Sequence, residues 1–326
     1  MSEFRTDFKI EGLPKKLDHN SKLFFIGSCF TENIGGKLIE YKFNTELNPF
    51  GILYNPVSIK NSLDYIIDKK IYKESDLFYS NNLWASYYHH SKFSDPDKDK
   101  CLDKINKTIP SAYEYLQQST FLYITLGTAK VYKLKSSGKI VSNCHKQASK
   151  EFETNFLNTE DIVEDYTKLI NRIIDFNPSI KIVFTISPVR HWQDGVTQNQ
   201  LSKSTLIIAA NKLCKLFANV FYFPAYEIMM DDLRDYRFYK EDMIHPNQVA
   251  IDYIWKKFSE LMIKKESIEL CIEIDRINKA FSHKPFNPKS PDHKSFLAKN
   301  HNNIIDILEK FPDLDFSREI SYFSGN

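Results

Sequence analysis

Leu23-Phe24-Phe25-Ile26-Gly27-Ser28-Cys29-Phe30-Thr31 decides the fold of this chain. Its first four residues are apolar without a break, which marks a short strand buried on both faces, and Gly27-Ser28 stops it. From Thr31 the apolar positions change period, to Ile34, Leu38 and Ile39, so a helix follows at once and runs to about Glu40. A serine at a strand-to-helix turn holds its hydroxyl at the carboxyl edge of a sheet, beside the free N–H groups of the helix start. That setting suits a nucleophile whose product carries an oxyanion. It equally suits a serine that only caps the helix. A catalytic reading requires a base elsewhere.

Outward from this turn, strand and helix patterns alternate. Lys42 to Leu47 reads as a second short strand, ending in Asn48-Pro49-Phe50-Gly51, and Pro56 opens a helix that buries Ile59, Leu63, Ile66 and Ile67. Residues 70–98 are irregular but rich in aromatics, which favours an ordered loop over disorder. Cys101, Ile105, Ile109, Ala112 and Leu116 mark another helical face. Three more core strands follow: Phe121 to Leu126, Lys181 to Ser187, and Val220 to Phe223. Between the first two, Thr159 is expected to cap a helix with Ile162, Tyr166, Leu169 and Ile173 inside; between the last two, Leu206, Ala209, Ala210, Leu213 and Phe217 line another. Apolar strands separated by amphipathic helices predict an α/β fold, a parallel sheet covered on both faces, with ligands at the carboxyl ends of its strands.

A sheet-covering helix is expected from Gln248 to about Ile263, burying Ala250, Ile254, Phe258 and Leu261. Another helix spans 264–283, a proline-bearing linker 284–295, and a tail helix runs near Asn302 to Phe311. The expected division is a main domain over residues 1–263, with an insertion at about 52–118, and a small helical C-terminal extension over 264–326.

The 326 residues carry 44 basic and 42 acidic side chains, so charge suggests no nucleic-acid partner. Met1 to Leu23 lacks the apolar segment of a secretion signal, and no stretch reaches the length of a membrane span. Five cysteines (Cys29, Cys101, Cys144, Cys214 and Cys271), without metal-ligand spacing, read as reduced thiols. The expectation is a cytoplasmic protein with no membrane partner, no metal and no cofactor.

The base for Ser28 is sought in Asp242-Met243-Ile244-His245-Pro246-Asn247. Pro246 suits the first position of the next helix, placing His245 at its start. Asp242 can curl back to one imidazole nitrogen and leave the other to face Ser28 as general base. An Asp-x-x-His pair also occurs as a cap or a surface ion pair. Here the serine follows the first strand and the histidine precedes the last sheet-covering helix, so both belong to one rim.

Gly27-Ser28-Cys29-Phe30 resembles the name-giving motif of the GSCFA domain, a bacterial family assigned to the SGNH (GDSL-like) hydrolase superfamily. Thr125-Leu126-Gly127-Thr128-Ala129, Asn143-Cys144-His145-Lys146, Ser187-Pro188-Val189-Arg190-His191 and Tyr222 to Glu227 are similar to the same family, as is the run from Asp231 into Pro246. The resemblance covers most of residues 20–260. It implies a flavodoxin-like three-layer α/β/α sandwich, with Ser28 as nucleophile and His245 and Asp242 completing a triad. The chain departs from the pattern at Thr31 and, more consequentially, at the oxyanion hole. Typical SGNH enzymes place a Gly after the second strand and an Asn in a Gly-x-Asn-Asp block after the third. Gly51 is the candidate for the first, or only a turn glycine. The third-strand block reads Gly127-Thr128-Ala129-Lys130, so Thr128 is the candidate donor beside Ser28 itself, with Asn55 as a further one.

Around the same rim, Arg190 is a candidate for a substrate carboxylate or for bracing its loop. His191 sits beside it. His89 and His90 are candidates for lining an acyl or sugar pocket, and without a third ligand they make a poor metal site. Cys144-His145 reads as a structural loop rather than a thiol catalyst. Arg234 and Arg237 are expected to pair with Asp232 and Asp235 and fix the loop that carries Asp242. The expected activity is hydrolysis of a small acyl ester such as acetyl, on a small-molecule or carbohydrate alcohol. Three alternatives stand beside it: an acyltransferase using the same triad, a catalytically silent binding module on the same fold, and a flavodoxin-like mononucleotide binder.

Overall fold

In the computed structural model, which describes Ile10, Gly12 and residues 15–324, the first strand passes directly into the first helix. β1 (Leu23–Gly27) leads through Ser28 into α1 (Cys29–Glu40), and the chain returns as β2 (Thr45–Leu47) before α2 (Pro56–Ile67). A hairpin, β3 (Phe78–Ser80) and β4 (Leu83–Ala85), precedes α3 (Lys98–Gln117) and β5 (Phe121–Leu126). β6 (Lys130–Leu134), β7 (Lys139–Val141) and β8 (Phe152–Phe156) form a separate antiparallel sheet in the order β7-β6-β8. Then come α4 (Thr159–Phe176), β9 (Lys181–Ile186), α5 (Val196–Leu216), β10 (Val220–Phe223), the one-turn α6 (Ala225–Glu227) and α7 (Gln248–Met262). Three helices complete the chain: α8 (Lys265–Ser282), α9 (Pro291–Lys310) and α10 (Ser317–Phe323).

The central sheet has the order β10-β9-β5-β1-β2, and every pair in it is parallel. Counting only its own strands, that is the order 2-1-3-4-5 of a flavodoxin-like sheet. Alternate residues feed two cores. Phe24, Ile26, Leu122, Ile124, Ile182 and Phe184 pack with α2, α3, α4 and α5 on one face. Leu23, Phe25, Phe121, Tyr123, Val183 and Phe223 pack with α1 and α7 on the other. Burying a side chain of this size contributes about 2 kcal/mol. The fold is thus the three-layer α/β/α sandwich, and its order reverses between β1 and β5, which opens a crevice at the carboxyl end of β1 where Ser28 lies.

Local details differ from the sequence expectation. The α4 cap is Asn158, whose Oδ1 accepts from Asp161 N at 2.8 Å, and Thr159 is already helical. The helix after His245 starts at Gln248 with Asn247 as its cap, so Pro246 stands outside it. The tail helix α9 begins at Pro291, well before Asn302, because Ser290 caps it. Its apolar face joins α8 and α10 around Leu270, Ile274, Ile277, Ile304, Ile307, Phe316 and Phe323. Among the described residues no helix is long and apolar enough to cross a membrane.

Candidate active site

The Gly27-Ser28 turn is held from two sides. Gly27 has φ +142°, and a Cβ there would lie 2.2 Å from the carbonyl oxygen of Thr125, so only glycine fits. Its N–H donates to Asn48 Oδ1 at 2.9 Å, and Asn48 Nδ2 donates in turn to Glu32 Oε1 at 2.7 Å. Ser28 is extended (φ −70°, ψ 174°) and stands at the N-cap of α1, yet its side chain makes no capping bond. Its hydroxyl is buried without any hydrogen-bond partner, and the residue is 1 % exposed. A buried orphan hydroxyl is costly unless something else uses it.

The Asp242–His245 loop is folded as a unit. Asp242 Oδ1 accepts from the N–H groups of Ile244 (2.8 Å) and His245 (2.9 Å), and its Oδ2 lies 2.7 Å from His245 Nδ1. These three donors, the two backbone groups foremost, pull the Asp242 carboxyl down to about 2. An ionised carboxylate only accepts, so Nδ1 carries the proton and Nε2 is left as acceptor. Met243 takes a left-handed φ of +56° to close this loop, and Lys240 N–H donates to His245 O at 2.8 Å. Asn247 Nδ2 donates to Arg237 O at 2.6 Å and Tyr239 O at 3.3 Å. Upstream, Arg237 pairs with Asp235 as expected, whereas Arg234 pairs with Asp231, and Asp232 accepts from the hydroxyl of Tyr253.

His245 and Cys29, the residue after Ser28, line one cavity of about 550 Å³, an ordinary size for a small-molecule site. Ser28 and His245 are not hydrogen-bonded to each other in this conformation. Asn55, His90, Thr128, Arg190 and His191 also line the cavity, beside Tyr54, Tyr132 and Trp192. Asn55 Oδ1 caps α2 by accepting from Ser58 N, and its Nδ2 has no bond among the described residues. His191 is pushed down to about 4 by burial, and its ring meets Tyr54 edge-on. Arg190 finds no carboxylate among the described residues. Its Nη1 meets the sulfur of Met230 at 3.4 Å, and its Nε is buried without a partner.

Four sequence candidates, Gly51, Thr128, the Ser28 N–H and His89, are engaged elsewhere. Gly51 gives its N–H to Asn48 O at 2.7 Å in a turn of φ +77°, so that N–H is not available to a substrate oxyanion. Thr128 reaches the cavity, but its N–H donates to Tyr54 O (3.0 Å), while its hydroxyl oxygen accepts from Lys130 N–H (3.1 Å) and shares a hydrogen bond with Ser202 Oγ (3.2 Å). Ser28 N–H likewise continues the sheet to Thr125 O at 3.1 Å. His89 does not line the cavity. It is 1 % exposed, stacks on Phe50 at 4.6 Å, bonds Ser86 Oγ, and is pushed down to about 3 by burial. The Cys144 thiol is pushed up to about 11 by burial, and His145 Nε2 is engaged with Ser86 O, so neither activates the other. Among the described residues no group of His, Cys, Asp and Glu side chains has the arrangement of a metal site.

Lys203 and Asn48 are the residues that sequence reasoning passes over. Lys203 on α5 is fully buried behind the cavity, donating to Gly127 O (2.6 Å) and Ser187 O (2.7 Å).

In comparison with known proteins, the model of the GSCFA family matches residues 22–258, and that of the GSCFA domain protein, C-terminal domain, matches residues 274–325. No curated protein matches. Two solved structures are similar in outline. A carbohydrate esterase family 3 protein from Talaromyces cellulolyticus is 10 % identical at a TM-score of 0.35, over 78 % of this chain and 99 % of its own. A family two carbohydrate esterase from Clostridium thermocellum, in complex with cellohexaose, is 14 % identical at 0.37, over 80 % of this chain and 68 % of its own.

Proposed function

The chain belongs to the GSCFA family, and on that premise we propose that it is a serine esterase that removes a small acyl group, with Ser28, His245 and Asp242 as its triad. The observation that carries this reading is the Asp242–His245 pair, whose free Nε2 belongs to a ring lining the same cavity as the residue after Ser28. A rotation about χ1 takes the unclaimed Ser28 hydroxyl out of its buried position. Oγ then attacks the ester carbonyl while Nε2 takes its proton, and Asp242 stabilises the imidazolium. The carbonyl electron pair moves onto oxygen. Collapse of this intermediate expels the alcohol with the proton from His245, and water attacks the acyl-serine by the same route in reverse.

The N–H groups at the start of α1 and the Asn55 amide are the proposed oxyanion donors, since the N–H groups of Gly51 and Thr128 donate elsewhere. The aromatic rings of Tyr54, Tyr132 and Trp192 with the hydrogen-bonding edges of His90 and His191 suit an acetylated sugar. Arg190 is the candidate for a carboxylate on that substrate. The exposure of His245, whose side chain is 41 % accessible, favours water over a second alcohol as acyl acceptor.

Ser28→Ala is expected to abolish turnover of p-nitrophenyl acetate and labelling by a fluorophosphonate. Arg190→Gln is expected to keep that turnover but raise KM about tenfold for a carboxylate-bearing acetate ester. Undiminished turnover in Ser28→Ala defeats the assignment, and a well-folded wild-type protein that resists the probe favours the silent binding module.

A further inference from the structure

A buried lysine without a counter-ion lies behind the cavity. Lys203 is 0 % exposed, and its two bonds go to the carbonyl oxygens of Gly127 and Ser187, each the first residue beyond its strand, β5 and β9. No carboxylate pairs with it among the described residues. The groups that face it are Cys29 from α1, Arg190 and His191 from the segment after β9, and the ring of Tyr226 in α6. None is an anion near neutrality, since burial pushes the Cys29 thiol upward. A buried ammonium in such company is expensive. Tying two strand ends together would be achieved as well by a neutral amide donor, so the charge itself requires an explanation. The place is suggestive: a Cβ on Gly127 would lie 3.4 Å from the Cβ of Ser28, so the peptide that Lys203 grips abuts the nucleophile.

We propose that Lys203 is a positioning residue whose buried charge lies behind the oxyanion of the reaction. It turns the Gly127 and Ser187 carbonyls inward and sets a positive potential where the substrate oxygen gains charge. The inference rests on the esterase reading. It explains how a third-strand block with no Asn, Gly127-Thr128-Ala129-Lys130, is compatible with catalysis. Lys203 exchanges no proton with the substrate. Its part is electrostatic, strong because the site is buried.

The test is the pH–rate profile of kcat for p-nitrophenyl acetate in the wild type, Lys203→Met and Lys203→Gln. Burial lowers the ammonium to about 7, so the charge is present below that pH and lost above it. The wild type is therefore expected to lose activity on the alkaline side between about pH 7 and 9. Both variants are expected to drop kcat about tenfold or more, with KM within about twofold, and to lose that alkaline limb. Lys203→Gln keeps a donor for one carbonyl without the charge. If it retains wild-type kcat, or if the wild-type profile stays level above pH 7, the inference is overturned. Should Lys203→Met fail to fold, Lys203→Gln and the wild-type profile still decide. Fluorophosphonate labelling of Ser28 in the wild type separates the two failures: a labelled, active enzyme indifferent to Lys203 refutes this inference alone, and an unlabelled, inactive one takes the esterase reading down with it.

Discussion

The partner of the Gly27 N–H is a side chain, Asn48 Oδ1, rather than a neighbouring strand. Asn48 is itself 0 % exposed, adopts a left-handed φ of +47°, and donates to Glu32 from its other amide atom. Asparagine suits all three demands, since it tolerates the left-handed region and offers both an acceptor and a donor. Asn48→Ala strands the Gly27 N–H beside Ser28, leaves Glu32 without that donor, and puts a less tolerant residue at positive φ. The expected cost is about 2–4 kcal/mol of unfolding free energy, from one buried unsatisfied group and about 1 kcal/mol of backbone strain. Urea denaturation measures it. A loss below about 1 kcal/mol would mean that the turn is held by the sheet and not by this side chain.

At the scale of elements, the parallel sheet was legible because β1, β5 and β9 are mostly apolar runs and its helices keep a period near 3.6. The antiparallel β6–β8 sheet was not, since Lys130, Lys133 and Lys139 break the alternation and its strands are only partly buried. The β3–β4 hairpin hid in the irregular stretch, although Asn81-Asn82, both at positive φ, are residues suited to its turn. The order of the loop around it was readable from its aromatics. The α5 face was half read: Leu206, Ala209, Ala210 and Leu213 continue toward the N-terminus, at the same spacing, as Ser202, Lys203 and Asn199. Polar residues on the buried stripe were the available signal for Lys203. That His89 lies in the core was not legible for a related reason: sequence alone does not separate a pocket imidazole from one stacked among buried rings. That burial makes a prediction. With its folded value lowered to about 3, His89 stays neutral while the unfolded chain takes up a proton near pH 6.5. Stability is thus full above pH 6.5 and falls on acidification toward pH 3, by up to about 1.4 kcal/mol per pH unit from this residue. Thermal melts from pH 7 to 4 should show a shallower decline in His89→Phe than in the wild type. Equal slopes would assign the acid sensitivity to other groups.

Over the whole molecule, the reversal of strand order places the Ser28 turn in the crevice between β1 and β5, and α1 carries that turn away toward the C-terminal helices. At the far end of α1 the two parts meet in a nearly buried ion pair, Lys42 Nζ to Glu319 Oε1 at 2.8 Å, with side chains 14 % and 8 % exposed. Lys42 also lies over the ring of Phe316, 5.0 Å from its centroid, while Glu319 Oε2 has no partner. A buried pair of this kind adds little net stability over an apolar replacement, but breaking one side strands the other charge. Lys42→Met is therefore expected to cost about 3–5 kcal/mol by leaving Glu319 an uncompensated carboxylate between α1 and the α8–α10 cluster. Lys42→Met with Glu319→Met removes both charges and is expected to recover most of that loss, a coupling of at least about 2 kcal/mol in a double-mutant cycle. Guanidinium denaturation of the four proteins reads the cycle directly. If the two single losses simply add, the pair does not join the helical extension to the sandwich energetically, and that task falls to the apolar contacts of Tyr41 with both cores.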